Sequence, residues 1–198
     1  MKKSVLIVSG MVLLAFVLTG CAGKARRIES YTFDTPVKTR KTYSSKFHNK
    51  ILMVDYPGGI GHGMSDRIYY RKGDIESSYL YSRWSVSQNR LLMARILKIV
   101  RNSSIFKEVL DYASEATPDY LLESRIYAFR HMLNKDGSSY ALIDIVFRLL
   151  RYEDRKVVKS VELRYEEPCE STDARGFVRA AERAMRRLGD DLVEWLAK

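Results

Sequence analysis

The apolar positions of this 198-residue chain change period several times, and each change marks an element. Residues 28–33 carry a short aromatic run that predicts a brief strand. Residues 51–56 form an apolar run closed by Pro57-Gly58-Gly59, which reads as a strand ending in a turn. Residues 66–71 and 78–84 read as two further strands. At 87–102 the spacing becomes helical. Leu92, Ile96, Ile99 and Val100 share one face there, while Arg90, Arg95, Lys98 and Arg101 lie mostly on the other.

Two long strand-like runs, 120–133 and 138–152, flank Asn134-Lys135-Asp136-Gly137. The Asp-Gly step suits a tight hairpin turn that needs positive φ. A second turn at 153–156 leads into 157–165, where Val157, Val161, Leu163 and Tyr165 keep an apolar alternation that only Lys159 interrupts. The last element, 173–197, is a helix. At helical spacing Phe177, Ala181, Ala184, Met185, Leu188, Leu192, Trp195 and Leu196 fall within one arc of about 120°. Arg175, Arg179, Arg183, Arg186 and Arg187 occupy another arc. The order strands, helix, hairpin plus strand, helix predicts an α+β fold: a single, mainly antiparallel sheet with two amphipathic helices packed on one face.

The N-terminus carries a different signal. Lys2 and Lys3 precede an almost unbroken apolar run from 5 to 18, and Thr19 and Gly20 stand directly before Cys21. Positive, apolar, then small is the order of a secretory signal. A membrane-spanning anchor needs more length, because fourteen helical residues rise only about 21 Å against a hydrocarbon core of about 30 Å. Leu18-Thr19-Gly20-Cys21 resembles the bacterial lipobox, in which the thiol receives a diacylglycerol and the chain is cut just before it. Residues 1–20 are therefore read as a lipoprotein signal peptide. Residues 21–49 are read as the lipidated Cys21 with a basic membrane-proximal segment, and 50–198 as one α+β domain. A single acyl chain anchors only marginally. Diacylglycerol plus an N-linked palmitate or similar chain makes attachment permanent. Ala22, rather than aspartate, follows the cysteine, and under the enteric sorting rule that predicts the periplasmic face of the outer membrane.

Charge reinforces this picture because it is unevenly placed. Of a formal +10, residues 22–50 carry +6, from eight Lys and Arg against Glu29 and Asp34. Residues 51–198 carry only +2. Basic residues beside a lipid anchor gain about 1 kcal/mol each near an anionic surface; a solvated tether has the same composition. A nucleic-acid partner, the usual reading of a basic chain, is excluded by export. Cys169 is the one cysteine left after Cys21, so no intrachain disulfide forms and an inert, partly buried thiol is expected.

Candidate chemistry is sparse. Gly59-Ile60-Gly61-His62-Gly63 follows a strand, yet it leads into another strand, and its spacing departs from a phosphate-binding loop. It reads as a loop. His48, His62 and His131 match no metal-ligand spacing, and no nucleophile elbow is present. Asp144 shares a strand face with Tyr140, Leu142 and Val146, which favours a surface or hydrogen-bonded carboxylate over a general base. The expectation is no catalytic residue, no metal and no cofactor. The arginine arc of the last helix has two readings: a solvated face with i,i+4 partners, such as Glu182 with Arg186 and Arg187 with Asp191, or a partner- or lipid-facing row at Arg175, Arg179 and Arg183.

Several segments resemble the ABC-type transport auxiliary lipoproteins. Glu29-Ser30-Tyr31-Thr32-Phe33 looks like the short aromatic strand that opens that family. Asp66-Arg67-Ile68-Tyr69-Tyr70-Arg71 is similar to its Asp-Arg, apolar-Tyr-Arg strand, and Tyr81-Ser82-Arg83-Trp84 to its Tyr-to-Trp stretch before the first helix. The helix followed by Ser104, Phe106 and Val109, and the strand start Asp119-Tyr120-Leu121-Leu122, continue the resemblance. Ser85-Val86-Ser87 lacks the proline that commonly follows the tryptophan. The resemblance implies structural roles for Asp66, Arg67, Tyr70, Tyr81 and Trp84. It also implies a lipoprotein that serves an MCE-type lipid transport system of the paraquat-inducible (Pqi) kind, with an MCE-domain periplasmic protein as partner and a possible homo-oligomer. Lipopolysaccharide export or a secretion apparatus is the alternative assembly.

Overall fold

A computed structural model describes residues 26–33, 45–59 and 63–198. The signal peptide, Cys21 and the loop centre 60–62 lie outside the described residues. Nine strands of one sheet and two helices follow in the order β1 (Glu29–Tyr31), β2 (Ile51–Val54), β3 (Gly58–Gly59), β4 (Arg67–Lys72), β5 (Ile75–Trp84), α1 (Gln88–Ser103), β6 (Glu108–Asp111), β7 (Tyr120–Leu133), β8 (Ser139–Arg151), β9 (Val157–Pro168) and α2 (Ala174–Ala197) among those residues.

β7 is the spine of the sheet. On one edge it runs antiparallel to β8, from Tyr120 opposite Arg151 to Leu133 opposite Ser139. Gly137 between them takes φ +86°, as the Asp-Gly step requires. β9 adds the next antiparallel strand, with Ile145 opposite Leu163. The other edge of β7 is covered by three short strands laid end to end, all parallel to it. Leu52 of β2 sits opposite Tyr120, Gly58 of β3 opposite Arg125, and Tyr70 of β4 opposite His131.

The sheet is therefore mixed, not mainly antiparallel. The physical reason lies in the connections. Hairpins announce themselves by turn residues, whereas parallel partners are joined through distant segments that leave no local mark. Pro57-Gly58-Gly59 accordingly does not end the β structure; its glycines keep pairing along β7. Beyond β4 the sheet continues to β5 and β1, and beyond β2 to β6, each of the last two steps being parallel.

Both helices pack on the sheet and on each other, α2 over β8 and β9 and α1 over β2 and β6. The predicted stripe of α2 is buried against Ile143, Ile145, Phe147 and Leu149 of β8 in one core. Trp84, 1% exposed, closes the sheet–helix junction. Its ring lies 5.4 Å from Phe33, 5.6 Å from Phe129 and 6.0 Å from Phe177. Phe33 and Phe47 also join this core, so residues ahead of 50 contribute to the folded body.

Arg95 corrects the helical-wheel reading. It was expected toward the polar side of α1, yet it is buried. Burial holds its guanidinium below the usual arginine range, and Glu182 of α2 acts against that.

Candidate functional site

The arginine row of α2 is engaged by carboxylates from outside the helix. Arg183 is the most heavily used. Its Nε donates to Glu167 at 2.9 Å, Nη1 to Glu170 at 2.9 Å, and Nη2 to the Pro168 carbonyl at 2.6 Å. Arg187 reaches the second oxygen of Glu167 at 3.1 Å and stacks over Tyr165, whose hydroxyl donates to Asp191. Arg179 lies 3.6 Å from Glu170, and Arg175 lies 3.4 Å from Glu29 of β1. Arginines near a helix N-terminus oppose the helix dipole. Here the acidic end of β9 and the segment after it offset that, and Asp173 caps the helix by accepting from the Gly176 amide at 2.8 Å. That bond and one from Ser171 hold the Asp173 carboxyl below the usual carboxylate range. Arg175 and Arg179 remain well exposed, whereas Arg183 is largely committed within the chain.

The resembling motifs have concrete placements. Asp66 accepts the Trp84 amide at its carbonyl (2.6 Å), and its carboxylate lies 3.5 Å from Arg83, which ties the start of β4 to the end of β5. Arg67 donates to Ser78 at 3.3 Å. The Tyr70 ring packs 5.0 Å from Tyr79. Tyr81 stands at the surface with the Arg26 guanidinium 5.3 Å from its ring centre. Asp119 accepts from the Ile51 amide at 2.8 Å and from Lys50 at 2.9 Å, joining the starts of β2 and β7. These two donors keep its carboxyl below the ordinary value.

Three of the titratable residues singled out in the sequence, His131, Asp144 and Cys169, sit in closed arrangements, whereas His48 is exposed and His62 lies outside the described residues. His131 is fully buried, stacked 5.4 Å from Phe177, with Nδ1 2.8 Å from the Tyr79 hydroxyl. Burial lowers its pKa to about 4, so the ring is neutral at pH 7. Asp144, 7% exposed, accepts from Arg164 at 3.1 Å. Burial pushes the Cys169 thiol up, which keeps it protonated and unreactive. Among the described residues, no group of three or more His, Cys, Asp or Glu could hold a metal, and no helix is long and apolar enough to cross a membrane.

The Gly-rich loop ends on the N-terminus of α1, a contact the sequence did not suggest. Gln88 and Asn89 amides donate to the Ser65 and Gly63 carbonyls at 3.0 and 2.9 Å. The Asn89 side chain donates to the Pro57 carbonyl at 2.8 Å. The donors that a phosphate would need are thus engaged by the protein's own backbone. Beside this loop, an open cleft of about 360 Å³ lies between Asp55, Tyr56, Glu123, Arg125 and Arg148. It mixes both charge signs.

A two-helix layer on a mixed sheet, with Arg175, Arg179, Arg183 and Arg187 paired to carboxylates, defines a small α+β domain built around packing and surface contacts. The chain belongs to the family described as the ABC-type transport auxiliary lipoprotein component, whose family model matches residues 31–193. Membership makes it a membrane-anchored lipoprotein. The fold is shared with protein XCC0632 from Xanthomonas campestris, at 21% identity and a TM-score of 0.76, across 85% of this chain and 95% of that one. It is also shared with PelC from Paraburkholderia phytofirmans, solved as a dodecamer, at 12% identity and a TM-score of 0.50, across 79% of this chain and 94% of that one. No curated protein matches the chain.

Proposed function

We propose that this protein is a non-catalytic docking component of an ABC/MCE-type intermembrane lipid transport system, held by lipid on Cys21 at the periplasmic face of the outer membrane. The family match over residues 31–193 carries this reading. The lipobox around Cys21, the basic stretch behind it and the closed arrangements of His131, Asp144 and Cys169 support it. A docking role needs an exposed face whose ion pairs can exchange partners. Arg175 and Arg179 offer one, toward an acidic surface of an MCE-domain partner.

A ring of several copies fits the same role, since the fold is shared with a dodecameric protein. The long outer edge of β9 is a strand edge through which copies could pair.

Fractionation of cell envelopes tests the placement. The protein should follow outer-membrane markers, cross-link to an MCE-domain protein, and leave the outer-membrane fraction when Cys21→Ala removes the lipid site. Co-fractionation with inner-membrane markers, or an outer-membrane Cys21→Ala protein, would reject it.

A further inference from the structure

The lipid anchor accounts for attachment but not for how the body is held against the membrane. One edge of the sheet carries features that bear on this. β1 pairs in parallel with the end of β5, Glu29 opposite Ser82 and Tyr31 opposite Trp84. Continued backwards, that register sets Ile28 abreast of Tyr81 and Arg27 abreast of Leu80. The Arg26 guanidinium over the Tyr81 ring agrees with this course. The chain coming from Cys21 therefore enters the fold at residues 80–82 of β5.

At this point β5 bulges. Between Arg67 opposite Arg83 and Tyr69 opposite Ser78, β4 advances two residues while β5 advances five. The extra residues push Leu80 outward until it is 78% exposed, with Tyr81 at 44% and Ile28 at 45% beside it. A leucine on its own at a surface is ordinary. Here Leu80 and Tyr81 are consecutive along the rim of β5, with Arg27 and Ile28 abreast of them, and Arg26 and Arg27 are both exposed. Apolar tips among cations, with a tyrosine between them, are the side-chain set of a bilayer interface with anionic headgroups. Distance makes the match specific. Arg26 is five residue steps beyond Cys21, and a fully extended chain covers about 3.5 Å per step, so Arg26 lies within about 18 Å of the anchor.

We propose that the β5 bulge at Leu80 and Tyr81, with Arg26, Arg27 and Ile28, is a second membrane contact that rests on anionic lipid headgroups beside the anchor. The contact rests on the lipoprotein reading of Cys21. It orients the body, with the β1–β5 edge toward the bilayer and the β9 edge away from it.

The test uses the mature, lipidated protein in a Cys169→Ala background, with Leu80→Cys or Val157→Cys carrying a polarity-sensitive fluorophore. Val157 is an exposed apolar residue at the opposite edge. The protein is reconstituted into vesicles of phosphatidylethanolamine and phosphatidylglycerol containing lipids with a nitroxide near the headgroup. The expected result is quenching several-fold stronger at position 80 than at 157. Arg26→Glu with Arg27→Glu, or omission of phosphatidylglycerol, should bring position 80 down toward 157. Equal quenching at both positions overturns the proposal. So does a probe at 80 that is shielded without lipid quenching in proportion to protein density, which would assign the patch to a second copy. Mass spectrometry of the same sample separates the two readings. Absence of lipid on Cys21 rejects the anchor and this contact together, whereas a lipidated protein unquenched at 80 rejects the contact alone.

Discussion

The ammonium of Lys159 donates to the carbonyl of Trp195 at 2.7 Å, joining the start of β9 to the last turn of α2. It also reaches the Leu196 carbonyl at 3.2 Å and lies 4.9 Å from the centre of the Trp195 ring. A cation at a helix C-terminus meets the negative end of the dipole and satisfies carbonyls that the helix leaves open. The lysine that interrupts the apolar alternation of β9 is thus a helix cap reaching in from a strand.

Lys159→Met, which keeps the apolar stem, should lower stability by about 1–2 kcal/mol through loss of a charge-assisted bond and the dipole contact. Urea unfolding measures this. An unchanged midpoint would mean that water caps α2 equally well.

Trp84→Ala should cost about 3–5 kcal/mol, the range for truncating a buried aromatic. Its ring meets Phe33, Phe129 and Phe177, which come from three separate parts of the chain. The melting temperature should drop before any binding property changes. A variant of normal stability that has lost partner binding would make Trp84 a recognition residue instead.

His131 makes stability depend on pH in a stated direction. Its folded pKa of about 4 lies below the unfolded value of 6.5. The unfolded chain therefore takes up the proton first as pH falls. The contribution is intact above pH 6.5 and is lost progressively down to pH 4, by up to about 3 kcal/mol. His131→Phe, which preserves a ring against Phe177, should flatten the stability profile in that window. The same slope in both proteins would place the titration elsewhere.

Gly63 and Asn89 should behave as a coupled pair. A Cβ on Gly63 would collide with the Asn89 side-chain amide, so Gly63→Ala must displace the group that holds the Pro57 carbonyl. The expected cost is about 1–3 kcal/mol, and it should shrink when Asn89 is already alanine. Additive losses in the double variant would show that the loop tolerates the methyl by moving.

What the sequence disclosed follows from how far each feature reaches along the chain. The β7–β8 hairpin is local, marked by its Asp-Gly turn, and the stripe of α2 is periodic within one element. Both were legible. The parallel pairing of β2, β3 and β4 along β7 is non-local and made the sheet mixed without leaving a pattern. The arginine row was legible as an arc, but the partners of Arg175, Arg179 and Arg183 were not. They come from Glu167 and Glu170, in the acidic stretch just before α2, and from Glu29 near the other end of the chain. That opposite-sign stretch was the available signal. The β5 bulge had none, because a register shift depends on the partner strand.

The proposed docking role requires direct binding to an MCE-domain transport protein. Size-exclusion chromatography with light scattering tests it most directly, using the mature lipidated protein and the purified MCE-domain protein of the same cell in detergent. The expected result is one co-eluting complex that forms without other components and weakens when Arg175 and Arg179 are changed to Glu. Separate elution at concentrations where each protein is folded would contradict it.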